Sequence, residues 1–277
     1  MIVGLAFFEE GNFLVNMVWQ MRKDLMRMFI DAVTPPPSEM VIQEEQICTF
    51  DRKIGDVTGD GIDDFVYLTG HKKSPDAIYQ EGITISVVDG VTNEVTEQIL
   101  DLNGGYGSAL FLGDFNQDEI SDIYVSISSG GSGNINYYYI YSFKDKSPVQ
   151  LLDYQTLNQL YEWSVRFLDH YRVEVINDTL NQTYELNLSF KNKEFLQKYY
   201  DSEGKTREGI EGEVLPLGGL SPIMTPRGKG AYSLLSSQVI IGTAMVDHLG
   251  VIEIYLTYQE GKFIPYDMVI GEQGNIE

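Results

Sequence analysis

GDVTGDGIDD at residues 55–64 is an acidic, glycine-rich stretch that leads directly into the strand-like run FVYL at residues 65–68. A second copy, GDFNQDEISD at residues 113–122, leads in the same way into IYVS at residues 123–126. The second copy begins 58 positions after the first. Self-similarity at a fixed period of this length is typical of proteins built from repeated structural units. The chain is therefore predicted to contain repeated β units, each with an acidic loop followed by a strand.

Two further units are predicted from the same interval, which lands near Asp169 and then near Thr225. No acidic loop occurs at Asp169, where the sequence reads as a strand. The loop TPRGKGAYS at residues 225–233 keeps the glycines, but Arg227 and Lys229 stand where acidic residues would be expected. The sequence therefore indicates about four units of roughly 55–60 residues, two of them with intact acidic loops.

Short runs of β-branched and aromatic residues, separated by Gly, Asn and Asp, dominate the chain beyond residue 40 and predict strands. The predicted strands are Phe65–Thr69, Ile83–Val88, Val95–Leu100, Ala109–Leu112, Ile123–Ser128, Tyr137–Phe143, Val165–Leu168, Tyr171–Ile176, Thr183–Ser189, Leu234–Ile241, Val251–Tyr258 and Phe263–Ile270. Two short segments, Gln155–Trp163 and Lys193–Tyr200, are predicted to be helical. The predicted fold class is all-β with an N-terminal helix.

The N-terminal segment is predicted to be separate from the β region. Apolar residues recur mostly at spacings of three and four between Phe13 and Val33, which predicts a helix. The run TPPP at residues 34–37 ends it, because consecutive prolines cannot continue a helix. The predicted domains are residues 1–37, helical with a proline-rich boundary, and residues 38–277, the β repeat domain. The sequence shows neither the pattern of a signal peptide nor an apolar stretch long enough to span a bilayer.

The charge balance excludes two classes of partner. The chain has 19 Lys and Arg against 41 Asp and Glu, a formal net charge of −22. Nucleic acids and anionic lipid surfaces both require clustered basic residues, so neither is predicted as a partner. The single cysteine, Cys48, cannot form an internal disulfide or a cysteine-based zinc site. An unidentified protein or a glycan remains as the predicted partner.

The two acidic loops carry the oxygen atoms that a calcium ion prefers. Hard divalent cations take six to eight oxygen ligands, and calcium tolerates irregular geometry. Each loop has oxygen-bearing side chains at positions 1, 3, 5 and 9 and a main-chain carbonyl at position 7. The predicted ligands are Asp56, Thr58, Asp60, the Ile62 carbonyl and Asp64 in the first loop, and Asp114, Asn116, Asp118, the Ile120 carbonyl and Asp122 in the second. The sequence therefore predicts two calcium sites, with polar turns that bind no ion as the alternative.

The loops differ from those of an EF-hand. An EF-hand loop needs a bidentate Glu at position 12 and a helix on each side, but Tyr67 and Val125 occupy that position and lie in predicted strands. The second loop also has Glu119 where the first has Gly61, at position 6. If this residue is left-handed, glutamate there costs on the order of 1 kcal/mol.

The stretch YGSALFLGDFNQDEISD at residues 106–122 resembles the FG-GAP repeat of integrin α-subunits and the related bacterial VCBS-type repeats. Tyr106 and Gly107 stand where that family has Phe-Gly, and the following acidic loop resembles its calcium loop apart from Glu119. The first acidic loop, residues 55–64, matches without a clear Phe-Gly before it.

The resemblance implies a β-propeller-like array of about four repeat units with calcium loops. In that family each repeat is one four-stranded blade, and the ion ties two strands of the blade together. Seven such blades would need far more than 277 residues, so the resemblance implies a ring of four or five blades, or an open or fused arrangement. It also implies an extracellular, cell-envelope or spore-surface location, although no signal peptide is visible.

The predicted function is a non-catalytic, calcium-stabilised module for binding or surface structure. The alternative is a carbohydrate-active enzyme, a glycan hydrolase or lyase, on the same scaffold. That alternative would require a pair of carboxylates away from the calcium loops. The acids not assigned to calcium include Asp153, Glu162, Asp169 and Glu174, and the sequence favours a solvated surface position for each. Because no catalytic constellation is identified, no enzymatic activity is predicted.

Overall fold

The computed structural model describes residues 47–272, except Asn103 and Ser132. Within that part of the chain the fold is all-β, with sixteen strands and two short α-helices. The strands are β1 Cys48–Gly55, β2 Asp64–His71, β3 Tyr79–Val88, β4 Val95–Ile99, β5 Gly105–Gly113, β6 Asp122–Ser128, β7 Asn136–Ser142, β8 Val149–Asp153, β9 Trp163–Leu168, β10 Arg172–Asn177, β11 Gln182–Asn187, β12 Glu211–Val214, β13 Gly219–Met224, β14 Tyr232–Ile241, β15 His248–Gln259 and β16 Lys262–Gly271. The helices are α1 Tyr154–Asn158 and α2 Lys193–Tyr199.

All the strand pairings are antiparallel and form two sheets of eight strands each. The first sheet has the order β1-β2-β3-β5-β6-β7-β8, with β4 paired to β3. The second has the order β11-β10-β9-β12-β14-β15-β16, with β13 paired to β14. The predicted all-β class is confirmed, but the described strands form two sheets and not four separate blades.

Each sheet is built from two groups of consecutive strands. In the first sheet, β1–β4 and β5–β8 are such groups, and the strand pairing between them is limited to Tyr79–Tyr106 and Gln80–Gly105. In the second sheet, β9–β11 and β13–β16 are joined through the four-residue strand β12. Both acidic loops connect the first and second strands of a group, β1 to β2 and β5 to β6. The sequence repeat therefore corresponds to a repeat of strand connectivity.

The hydrophobic core consists of two clusters that share β6 and β7. Val125 and Tyr139 are buried in the cluster of the first sheet, whereas Tyr124, Tyr138 and Ile140 are buried in the larger cluster. Side chains alternate between the two faces of a strand, so neighbouring residues here enter different clusters. β6 and β7 are consequently covered on both faces and lie between the two halves of the core.

Every predicted strand is confirmed in position, but β1, β8, β12 and β13 are not predicted by the hydrophobic pattern. These strands lie at sheet edges or short junctions, where half or more of their side chains remain accessible. The outer strand β13 also contains Pro222, a residue that disfavours a strand interpretation. Of the predicted helix Gln155–Trp163, only its start is helical, because Trp163 pairs with Asn177 and begins β9.

Some predictions concern residues outside the described part of the chain. These are the helix from Phe13 to Val33 and the domain boundary at residues 34–37. Within residues 47–272 as described, no helix has the length and apolar character needed to cross a membrane.

Candidate metal loops and the adjoining cavity

The first acidic loop curls around the carboxylate of Asp56. Its Oδ1 accepts a hydrogen bond from the Gly59 amide at 2.6 Å, and its Oδ2 accepts one from the Gly61 amide at 2.9 Å. Both glycines have positive φ, 84° and 86°, a conformation that side chains disfavour. The glycines therefore allow the chain to turn back so that two amides point at one carboxylate.

The other end of the first loop is held by Asp64, whose side chain is 0% exposed. Its Oδ2 accepts hydrogen bonds from the amides of Val57 and Thr58, and its Oδ1 accepts one from Gly90, all at 3.0 Å. Asp60 Oδ1 accepts from the Ile62 amide at 2.9 Å. A carboxylate offers about four lone-pair positions, so each of these acids retains further capacity to accept.

Thr58 lies inside this loop and has an unused hydroxyl. Its side chain is only 5% exposed, and its Oγ1 has no hydrogen-bond partner within the described residues. A buried oxygen without a partner costs free energy, because it loses the hydrogen bonds that water would give it. This hydroxyl is therefore available for an additional ligand.

The second loop repeats the hydrogen bonds of the first. Asp114 accepts from the amides of Gln117 at 2.7 Å and Glu119 at 3.0 Å. Asp122 accepts from Phe115 at 2.9 Å and Asn116 at 3.3 Å. In both loops, therefore, the carboxylate at position 1 accepts hydrogen bonds from the amides of positions 4 and 6. The carboxylate at position 9 accepts them from the amides of positions 2 and 3. The same geometry arises from two sequences that share few residues besides the acids.

The second loop also concentrates negative charge. Burial raises the pKa of Asp122, and the neighbouring carboxylates of Asp118 and Asp114 raise it further, to about 7, against the hydrogen bonds from the Phe115 and Asn116 amides. Lys144 Nζ lies 3.2 Å from Asp118 Oδ2 and partly balances this charge. A second cation at these carboxylates would favour their ionised forms.

The predicted ligands are gathered within their loops but do not form a ready-made metal cage. Across the described residues, no group of three or more His, Cys, Asp or Glu side chains is placed to hold a metal ion. The acids instead accept hydrogen bonds from main-chain amides, most of them in their own loop. In addition, the amides of Ile62 and Ile120 donate to the acids at position 5.

Glu119 has a φ of 67°, so position 6 of the second loop is left-handed. We expect Glu119→Gly to raise the free energy of unfolding by about 0.5–1 kcal/mol, because glycine removes the strain but loses more chain entropy. Gly61→Ala is the matched opposite change, since nothing lies within 4 Å of the added methyl group and only φ opposes it. Urea denaturation of both variants checks this. A less stable Glu119→Gly would contradict it.

The acidic loops and the basic loop at residues 225–233 form a connected row. The Ser121 amide donates to the Asp56 carbonyl at 3.3 Å, which joins the two acidic loops. The Tyr232 amide donates to the Asp114 carbonyl at 2.7 Å, which joins the second acidic loop to the basic one. The second acidic loop therefore contacts both the first acidic loop and the basic loop.

A cavity of about 550 Å³ opens beside this row. Its lining comes from the second acidic loop, the basic loop and the turn between β15 and β16: Asn116, Gln117, Arg227, Lys229, Thr257, Tyr258, Gln259, Glu260 and Gly261. This cavity is not predicted from the sequence. The only signal for it was the basic pair, Arg227 and Lys229, in a loop that otherwise resembles the acidic ones.

Three of the acids considered for catalysis have structural contacts. Asp153 accepts from the Gln155 amide at 2.8 Å and caps α1, and Asp169 accepts from the Thr206 amide at 3.0 Å. Glu174 lies 4.0 Å from Arg166 across the sheet. Each of these three carboxylates therefore has a partner within the fold.

Comparisons with known proteins give one family. A family model described as YybI C-terminal domain matches residues 161–271. The chain is 37% identical over 210 residues to the uncharacterized protein YybI of Bacillus subtilis strain 168, a match covering 76% of this chain and 79% of that protein. Among solved structures, the Bacillus licheniformis rhamnogalacturonan lyase PL11 is similar over 81% of this chain and 34% of its own, with a TM-score of 0.34 and 12% identity.

The resemblance to FG-GAP and VCBS repeats is wrong as a family assignment. No such family is found, and the matches lead to YybI instead. The resemblance depended on two ten-residue loops and one Tyr-Gly pair, and short loop motifs of this kind carry a real risk of false positives. The matched family model at residues 161–271 includes neither acidic loop.

Proposed function

The chain belongs to the YybI family, and from this premise we propose that it is a non-catalytic β module, serving in binding or surface structure, that two calcium ions stabilise. The observation that carries the proposal is the repeated carboxylate geometry of the two loops. In each loop, three acids accept hydrogen bonds from main-chain amides of the same short segment. Each loop lies between the first and second strands of its group. Three formal negative charges in so small a volume favour a divalent cation.

The donor set of the first loop fits calcium. Asp56, Asp60 and Asp64 supply carboxylate oxygens with unused lone pairs, and the Thr58 hydroxyl is buried without a partner. In the second loop, Asn116 takes the place of the threonine. The pKa of Asp122 is raised mainly by burial and further by the carboxylates of Asp118 and Asp114, whose charge an ion would offset. The ligands proposed for the ions are those predicted from the sequence, including the carbonyls of Ile62 and Ile120.

We also propose that the four strand groups are arranged as a small propeller-like array. The equivalent positions of the acidic loops and the contacts along the row of loops support this arrangement. An experimental structure in which the four groups do not surround a common axis would contradict it.

Calcium titration tests the proposed ion sites. We expect calorimetry on chelator-treated protein to give about two sites with Kd values of roughly 10⁻⁴–10⁻³ M, the range of extracellular modules. Saturation should add about 1–3 kcal/mol to the free energy of unfolding, because the ions bind only the folded loops. The Asp60→Ala, Asp118→Ala double variant should lose both effects.

The matched control is the Asp63→Ala, Glu119→Ala double variant. Both residues are exposed acids of the same loops that are not predicted as ligands, and the change in net charge is identical. This control should keep both the binding heat and the thermal shift. If calcium gives neither binding heat nor a thermal shift in the unaltered protein, the loops are polar turns that bind no ion.

Affinities in this range would be useful where calcium is abundant, so we propose an extracellular, envelope or spore-surface setting. Fractionation of the source cells, with detection of the protein, would test it. Recovery only from the cytosolic fraction would contradict this location without affecting the calcium proposal.

A further inference from the structure

We propose that the cavity between the second acidic loop, the basic loop and the β15–β16 turn binds a small hydroxylated organic anion, with a carboxylate beside hydroxyl groups. This site does not depend on the calcium proposal, although Asn116 belongs to both. Its walls come from three distant parts of the chain, and its volume of about 550 Å³ lies within the range typical of ligand pockets.

The charge of the lining is opposite to that of the chain as a whole. Arg227 and Lys229 line the cavity, and neither forms an ion pair with an acid in the part of the chain that the structure describes. The only acidic side chain in the lining is Glu260. In a protein of net charge −22, two unpaired basic residues facing one cavity make a local site for an anion.

Arg227 is also held in place. Its guanidinium carbon lies 4.9 Å from the centre of the Tyr266 ring, a cation–π contact that limits its freedom. A guanidinium group presents donors in a planar fork that matches a carboxylate in a bidentate manner. Because this side chain is already restricted, it loses less conformational entropy when a ligand binds.

Thr257 adds, beside the cavity, a buried hydroxyl without a partner in the described part of the chain. Its side chain is 8% exposed, and its Oγ1 has no hydrogen-bond partner among the described residues, although the residue lines the cavity. Threonine hydroxyls buried in this way normally find a partner. A polar atom of a bound ligand would supply one.

The remaining polar groups select for hydroxyls. Gln117 Nε2 donates to the Tyr258 carbonyl at 2.8 Å, which fixes the amide and leaves its Oε1 as an acceptor. Glu260 adds carboxylate oxygens that accept but do not donate. Acceptors beside two cations suit a ligand that carries both a negative group and hydroxyl donors, and the volume exceeds what a bare inorganic ion would fill.

Binding of D-glucuronate, measured by calorimetry, tests the inference, with D-glucose and inorganic phosphate as the neutral and the bare-anion probes. We expect saturable glucuronate binding at least about tenfold tighter than either. Arg227→Gln should weaken it about tenfold or more, because a charge-assisted pair is lost. Thr257→Val, which keeps the shape, should weaken it about threefold to tenfold. Lys262→Gln removes a cation of the same hairpin outside the lining and should leave the affinity unchanged.

Each titration is run in chelator and in millimolar calcium, with thermal melting to confirm that every variant is folded. Equal binding in both conditions supports the anion site even where the calcium proposal fails. Glucuronate binding that requires calcium would overturn the inference, because the ion rather than the basic residues would then hold the anion. Equal affinity for glucose, equal affinity for phosphate, or an equal loss in the Lys262 variant would overturn it as well.

Discussion

Replacing Asp64 by alanine is expected to lower the free energy of unfolding by about 3–5 kcal/mol, even in chelator. The carboxylate accepts from three main-chain amides, those of Val57, Thr58 and Gly90, and it is fully buried. Alanine would leave these donors without a partner in a place that water reaches poorly. The loss would affect both the acidic loop and the turn after β3, which Gly90 begins.

Chemical denaturation followed by circular dichroism measures this effect. Asp63→Ala is the control, because this neighbouring acid is exposed, and we expect it to change stability by less than about 0.5 kcal/mol. Asp64→Asn keeps the shape of the side chain and one accepting oxygen. Its free energy of unfolding should lie between those of the two alanine variants. Equal stabilities of the Asp63 and Asp64 alanine variants would show that the carboxylate contributes little to the loop.

Replacing Ile140 by alanine is expected to cost about 2–5 kcal/mol, because it leaves a cavity in a fully buried position of β7. Its neighbour Tyr139 belongs to the other core cluster. Since β6 and β7 contribute to both clusters, we expect the two halves of the core to lose stability together. Ile140→Val, which removes one methyl group, should cost only about 0.5–1.5 kcal/mol.

Hydrogen exchange with mass spectrometry distinguishes joint from separate loss of stability. Peptides from β2 and β3 report on one cluster, and peptides from β14 and β15 report on the other. Both should lose protection in Ile140→Ala by a similar factor. Unchanged protection in β2 and β3 would contradict the joint core and would show that the first sheet unfolds independently.

The sequence was sufficient for the loops and the strands with strong hydrophobic patterns. The spacing of acids in the two copies correctly predicts that each loop precedes a buried strand, β2 or β6, at the same place in its group. For Glu119, a strain cost was expected only if position 6 is left-handed, and its φ is 67°. These features are local, so a short stretch of sequence determines them.

The features that depend on distant contacts were not predicted. The strand β12 has only four residues, of which two pair with β9 and two with β14. Its own sequence therefore carries no pattern that predicts a strand. The cavity combines Gln117, Arg227 and Thr257, which are far apart along the chain. The family was misjudged for a related reason, since the loop motif occupies a small fraction of a chain whose matched family model lies elsewhere.

The prolines of the outer strands have a consequence for self-association. β13 pairs only with β14, and β16 only with β15, among the described strands, so each presents an open edge that a second molecule could extend. Pro222 and Pro265 have no main-chain N–H to offer at those edges. β4, which also pairs with a single strand, has no proline and exposes Val95 and Ile99. β1, β8 and β11 likewise pair with one described strand each and contain no proline. Edge-to-edge addition of a second molecule is therefore expected at these four strands rather than at β13 or β16, and a lysine at their exposed apolar positions would oppose it.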